Sequence, residues 1–392
     1  MSVPHQIRIV DGIAEIPADA WDRCANRDPA THNPFQSHAF LKALEDAGSV
    51  GGRTGWAPHH LVLETKAGEI LGVAPAYLKS HSQGEYVFDH GWAEALQRAG
   101  GRYYPKLQIA VPFTPVPGRR FLVPPGPNAD THERELVAGA IEIAKRSKLS
   151  SLHATFTSEG EWTRLGAAGL LQRTHQQYHW KNDGYATFDD FLGALASRKR
   201  KTMRKERVEA LSQGLTIQHL SGHEITEAHW DTFFQFYTDT GSRKWGRPYL
   251  NRAFFSHLGA TMGEHCLLIF ALRDGRPIAG ALNMIGGDCL YGRYWGCIEH
   301  HPCLHFELCY YQAIDVAIAR KLARVEAGAQ GDHKLARGYL PVATYSLHWV
   351  AEPSFKRAVA NFLTEERTHM DEQREMLAEF APFRKVIAAE DA

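Results

Sequence analysis

Apolar positions along the chain recur in two rhythms, a two-residue alternation over short runs and a three-to-four-residue spacing over longer ones. Gln6–Val10 reads as a strand. Ile16–Cys24 reads as a helix with Pro17 near its start. Ser37 suits the cap of a helix running through Leu44, because its hydroxyl can accept from free first-turn N–H groups. His59–Glu64 and Glu69–Tyr77 read as two strands across the polar turn Thr65–Gly68. Thr131–Lys148 places Leu136, Val137, Ala140, Ile141 and Ala144 at helical spacing. A buried strand at Leu152–Thr157, a helix at Glu161–Leu170 and a strand at Leu171–Trp180 follow.

The second half has a similar order. The pattern predicts a helix over Phe188–Ala210, starting after Thr187 with Asp189 and Asp190 at its positive end. His229–Thr240 and Asn251–Met262 read as two more helices. Three strands, His265–Arg273, Pro277–Gly286 and Cys289–Cys297, are joined by the tight turns Asp274-Gly275 and Gly287-Asp288, which makes an antiparallel meander. A long helix at Phe306–Leu322 and a strand at Arg324–Ala329 complete it. The expected class is α+β, and 392 residues suit two domains, 1–185 and 186–392.

Composition narrows the function classes. At 44% hydrophobic and 22% charged the chain has apolar mass for a core in each half. Lys plus Arg equals Asp plus Glu at 44 each, so only a local patch could attract a polyanion. No basic segment leads into an apolar run at the N-terminus, and Cys266–Leu272 is the longest apolar run, so a cytoplasmic protein without a membrane span is expected. The six cysteines form no CxxC pair and suit packed, reduced thiols. Residues 84–126 are dense in Gly, Pro and aromatics and read as an ordered, irregular surface segment.

Four clusters carry candidate chemistry. Glu326–Tyr339, EAGAQGDHKLARGY, follows a predicted strand and gathers Gln330, Asp332, His333, Lys334 and Arg337 among glycines. Arg198–Arg207, RKRKTMRKER, holds seven bases and one acid, with Arg198, Lys199, Arg200, Lys201, Arg204 and Lys205 as candidate polyanion-binding groups. His300–Glu307, HHPCLHFE, offers His305 and Glu307 at the start of the long helix. Zinc sites need a second ligand pair that the chain lacks here, so no metal is assigned. Arg243, Lys244 and Trp245 in a Gly-bounded loop, with Trp295 ending a strand, suit a substrate lining. GxSxG, Walker and GxGxxG motifs are absent, which sets serine hydrolases, P-loop NTPases and dinucleotide enzymes aside.

The segments GEYVFDHGWA, RYYPKLQIAVPFTPVPGRR, RKRKTMRKER, RKWGRPYL and EAGAQGDHKLARGYLPVATYSLHW resemble the FemAB-like predicted N-acyltransferase family of GNAT-related proteins, a group associated with peptidoglycan biosynthesis or recognition. The resemblance spans about residues 33–350. It implies two tandem GNAT-like domains, each a mixed sheet flanked by helices, and transfer from acyl-CoA or aminoacyl-tRNA as co-substrate with no tightly bound cofactor. The R/Q-x-x-G-x-G/A loop of ordinary GNAT enzymes has no match, since His300–His305 stands in the corresponding place. Both donors therefore stay open.

Acyl transfer to an amine needs a base, an oxyanion donor, alignment and a protonated leaving group. His333 or Glu307 is expected as the base, Lys334 and Arg337 as holders of phosphate or carboxylate, and Tyr339 or Tyr345 as the proton donor. Gln330, His305, Arg243, Lys244, Trp245 and Trp295 complete the expected substrate contacts. Expected partners are a small-molecule or peptide amine acceptor and tRNA. Two alternatives remain at this level. One is a non-catalytic module of the same fold recognising cell-wall peptide or RNA, the other a metal hydrolase using the histidine cluster.

Overall fold

The two rhythms of the sequence become an antiparallel sheet and larger mixed sheet structure flanked by helices, so the α+β class is present as expected. The computed structural model describes residues 5–244, 248–328 and 331–384. Contacts divide the chain into two units. The first holds residues 1–176, 249–262 and 343–372, and the second holds 177–248, 263–342 and 373–392. The first unit thus takes in two later stretches of the chain, 249–262 and 343–372.

In the first unit, β1 (His5–Val10), β3 (His60–Thr65) and β4 (Ile70–Ala74) form an antiparallel sheet, while β2 (Trp56–Pro58) belongs to a second sheet with β5 (Ala76–Lys79), β6 (Lys106–Ile109) and β7 (Ser151–Thr157). Pro75 divides the expected single strand 69–77 into β4 and β5, because proline cannot donate to a ladder. The helices are α1 (Ala18–Ala25), α2 (His38–Asp46), α3 (His90–Arg98), α4 (Ala129–Arg146) and α5 (Glu159–Ala167). Ser37 caps α2 as expected, its hydroxyl accepting from the Phe40 N–H. One sheet face is apolar, with Leu107, Ile109, Leu152 and Ala154 packed with Leu136, Val137, Ala140 and Ala144 of α4.

The opposite face is polar and equally buried. Tyr77 and Lys79 stand beside Gln108 and Lys106, and Gln108 beside His153. Lys106 donates to Glu85 at 2.7 Å and also contacts Asp89, and Tyr103 donates to Asp89 at 2.7 Å. His153 shares a 2.7 Å ring–ring contact with His348. The segment read as irregular thus contains α3 and β6, and it closes over the polar face through Glu85, Asp89 and Tyr103.

In the second unit the sheet order is β8–β13–β12–β11–β10–β9, built from β8 (Leu171–Lys181, of which 177–181 belong here), β9 (Thr216–Ser221), β10 (Cys266–Arg273), β11 (Arg276–Ile285), β12 (Cys289–Cys297) and β13 (Arg324–Glu326). The meander of β10, β11 and β12 is antiparallel as expected, and β12 with β13 is parallel. The expected helix 188–210 is two, α6 (Phe188–Ala194) and α7 (Ser197–Ala210). Leu195 between them is extended and buried, and the Ala196 N–H donates to the Pro382 carbonyl. α8 (Glu227–Lys244) lies on the sheet so closely that a Cβ at Gly296 would fall 2.0 Å from the Phe236 carbonyl oxygen, so only glycine fits there. The remaining elements of this unit are α10 (Leu304–Phe306), a π-helical stretch Glu307–Tyr311, α11 (Gln312–Ala319) and a 3₁₀ segment Asp332–Arg337, while α9 (Arg252–Met262) belongs to the first unit, as do most of β14 (Leu340–Val350) and α12 (Pro353–Glu379). The residues of β14 from 343 on belong to the first unit and pair antiparallel with β7.

Candidate active site

The second unit departs from regular pairing at β12. This strand has nine residues, but its parallel partner β13 meets only Cys289, Leu290 and Tyr291. At that point β12 also carries a bulge, since Leu282 pairs with Tyr294 and Asn283 with Gly292, leaving Arg293 as the extra residue. The bulge turns Arg293 toward the end of β13. Its guanidinium donates to the Glu326 carbonyl at 3.3 Å and pairs with the Glu326 carboxylate at 3.5 Å. Bulges re-aim side chains in this way beside functional sites.

A buried polar group collects where the strands part. Asn283 is 1% exposed, and its amide has no hydrogen-bond partner at either end. Its Oδ1 stands 3.4 Å from where a Cβ of Gly292 would be, and the Glu326 carbonyl is 3.7 Å from the same point. Lys334 is 3% exposed and donates to the Gly328 carbonyl at 3.0 Å. Burial, reinforced by the Arg293 charge, brings its pKa down to about 7. Burial likewise holds His179 down at about 4, against the attraction of Glu326, so it is neutral at physiological pH.

Next to this group lies a layer of rings and cations. The His333 Nε2 is 2.8 Å from the Tyr310 hydroxyl, and the His333 ring lies 5.9 Å from His305 and 5.7 Å from Phe306. His305 is 5.1 Å from Trp295 of β12. Arg337 stacks on Phe306 at 3.3 Å and donates to Glu206 of α7 at 2.8 Å. A cavity of about 350 Å³ opens at this end, lined by Arg198, Lys199, Thr202, Met203, Glu206, Ala336 and Arg337. The turn before α10 supports the layer, with Cys303 in the left-handed region at φ 61° and π-helical winding directly after it.

Trp295, His305, His333 and Arg337 are therefore brought together, with Lys334 in the adjoining polar group and Arg198 and Lys199 at the cavity, while Glu307, Tyr339 and Tyr345 are engaged otherwise. Glu307 is fully buried and held by the Arg207 guanidinium through contacts of 2.8–3.2 Å, with Gln312 donating at 2.7 Å. That pairing occupies both oxygens and fastens α7 to the π-helical stretch, leaving no lone carboxylate for a substrate proton. Tyr339 is fully buried, and its hydroxyl donates to the Tyr310 carbonyl at 3.2 Å. Burial raises its pKa well above the tyrosine range. Tyr345 belongs to the first unit, 5.1 Å from the Trp162 ring. Arg243 and Lys244 end α8, and Trp245 and Gln330 lie outside the described residues.

α7 is less uniformly cationic than its sequence implies. Met203 and Ala210 face the core, Arg207 turns in to Glu307 and Asp315, and Arg204 pairs with Asp189 at 2.9 Å. Arg200 contacts Ser197 at 3.5 Å. Arg198, Lys199, Lys201 and Lys205 have no ion-pair partner among the described residues, and the first two line the cavity. In the histidine stretch, His301 sits between Arg273 at 2.9 Å and Glu299 at 3.1 Å, so it is engaged apart from His305. Arg293, Asn283, Glu326, His179 and Tyr310 were not singled out from sequence. Gly292 in the β12 run, CLYGRYWGC, is the signal that marks the bulge.

Comparison with known proteins agrees with this architecture. A family model described as peptidoglycan biosynthesis/recognition, FemAB-like, matches residues 12–385. FemX superposes with a TM-score of 0.53 at 13% identity, over 91% of this chain and all of its own. The C-terminal domain of a putative lysylphosphatidylglycerol synthetase from Agrobacterium fabrum gives 0.53 at 10% identity, covering 89% of this chain and 96% of that one. L-PGS from Bacillus licheniformis gives 0.50 at 8% identity, over 85% and 98%. No curated protein sequence matches the chain. Among the described residues no helix is long and apolar enough to cross a membrane.

Proposed function

The chain belongs to the FemAB-like family, and from that premise we propose that it transfers an acyl or aminoacyl group to an amine on a peptidoglycan precursor peptide. One observation carries the proposal. β12 runs on past its three-residue pairing with β13, and the ring layer of Trp295, His305, His333 and Tyr310 gathers beside that opening. Backbone N–H groups freed where parallel strands part are suited to receive the donor's carbonyl oxygen as negative charge builds on it.

In the proposed step the amine nitrogen bonds to the acyl carbon and the bond to the carrier's oxygen or sulfur breaks. His333, exposed and hydrogen-bonded to Tyr310, takes the amine proton. The Tyr310 hydroxyl, 2.8 Å from the His333 Nε2, supplies the leaving group's proton, whereas the Tyr339 hydroxyl is committed to the Tyr310 carbonyl. Arg337, Arg198 and Lys199 hold phosphate of the carrier at the cavity, which suits both acyl-CoA and aminoacyl-tRNA. Lys334, with Arg293 and Glu326, keeps the parted strand ends in place. Glu307 serves as the anchor of α7.

The test is a product assay. The purified protein is mixed with a precursor peptide bearing a free lysyl amine and, separately, with acyl-CoA and aminoacyl-tRNA donors. A gain of one acyl or aminoacyl mass on the peptide supports the proposal and names the carrier. Peptide binding without any mass gain for either donor class sinks it in favour of a non-catalytic recognition module.

A further inference from the structure

A set of metal-ligating side chains lies in the first unit. Gly139 of α4 sits against the Ile7 side chain of β1. A Cβ at Gly139 would come within 2.6 Å of the Ile7 side chain, so the helix approaches the strand only because that position is bare. His132 and Glu135 share the helix face of Gly139, at positions seven and four residues before it. His5 shares the strand face of Ile7, two residues before it. The close approach that Gly139 permits therefore brings one histidine of the strand against a histidine and a glutamate of the helix.

The distances match that derivation. The His5 Nδ1 is 2.7 Å from the Glu135 Oε2, and the His5 and His132 rings meet edge to face at 5.3 Å. One nitrogen from each histidine and one glutamate oxygen all lie within 4.8 Å of one another. Tetrahedral zinc, with bonds of roughly 2.0–2.1 Å, holds its ligand atoms about 3.3 Å apart, so small side-chain rotations close the set. All three residues are partly exposed, which leaves water free to fill the remaining position. Two imidazoles and one carboxylate favour zinc and its transition-metal neighbours over calcium or magnesium, which prefer all-oxygen sites.

We propose that His5, His132 and Glu135 form a binding site for a divalent transition metal of the zinc class, which ties the edge strand β1 to α4. β1 is paired along one side only, by β3, and a metal bond to the helix would pin its start against fraying. This proposal does not depend on the transferase reading, because its ligands and its measurement are independent of turnover.

The experiment uses the full chain without a histidine tag, stripped with chelator and titrated with zinc chloride by calorimetry, with retained zinc counted by elemental mass spectrometry. The expected result is one zinc per chain that His5→Ala and His132→Ala each abolish. Glu135→Gln, which keeps the side-chain shape, should weaken binding at least tenfold. Saturating zinc should raise the wild-type Tm by about 5 °C and leave the variants' Tm unchanged. Circular dichroism of each metal-free variant shows that its fold is kept. No retained zinc, or zinc retained equally by Glu135→Gln and the histidine variants, overturns the site and assigns any binding to other histidines.

Discussion

Both units balance buried charges inside the fold, Lys106 with Asp89 in the first and Arg207 with Glu307 in the second, but in the second unit Arg198 and Lys199, which are not buried, also face a cavity. On the polar face of the first unit, Lys79 and Lys106 are fully buried beside Glu85 and Asp89, and Lys106 is paired with both carboxylates. Lys106 keeps its charge, since Glu85 and Asp89 outweigh the burial that opposes it. In the second unit Arg198 and Lys199 reach a cavity whose lining carboxylate, Glu206, is paired with Arg337, and neither has an ion-pair partner among the described residues. A charge balanced inside the fold organises the fold, and a charge left unbalanced at an opening suits a ligand that brings the opposite sign. On that distinction, equally polar segments of the chain have unequal claims to chemistry.

The hardest test of the distinction is Lys106→Met. It leaves the Glu85 and Asp89 carboxylates buried without their main cation, a loss that typically costs about 3–5 kcal/mol. Urea unfolding should show a loss of that size. A loss below about 1 kcal/mol would mean that water reaches the cluster, and the contrast between the units would fail.

His333→Ala probes the other side. The imidazole is exposed, so Tm should stay near wild type while turnover with the donor and amine pair found by product assay falls about 100-fold or more. His333→Ala with unchanged turnover would move the base elsewhere in the ring layer. An equal fall in Tm and activity would make the His333–Tyr310 contact structural, like the ion pairs of the first unit.

How far the sequence led depended on whether burial and hydrophobicity agreed. The meander of β10 to β12 was legible because its turns carry Asp-Gly and Gly-Asp and its runs are apolar. β6 was not, because KLQI places Lys106 and Gln108 on a buried face, and the pattern reads as loop. His333 and Arg337 were legible as a polar cluster after a strand. The role of Glu307 was not, since its partner Arg207 lies 100 positions away and nothing local marks the pair. β14 and α12 were left unassigned: β14 mixes polar residues into a buried strand, and α12 has few apolar positions that reach a core.

The finest comparison uses two lysines with the same perturbation. Burial lowers both Lys79 of the first unit and Lys334 of the second to about 7. An unfolded lysine titrates near 10.4, so between about pH 7 and 10.4 the unfolded chain holds a proton that the native lysine has released. Stability therefore rises with pH across that window, by about 1.4 kcal/mol per pH unit for each lysine, and neither contributes a slope below it. Lys79→Met and Lys334→Met should each remove one such increment when stability at pH 7.5 and 8.5 is compared. The two should separate in catalysis. Lys334→Met, at the parted strands, should also shift the pH profile of turnover, whereas Lys79→Met should leave that profile in place. A profile that moves equally in both variants would show that the polar face of the first unit takes part in the reaction.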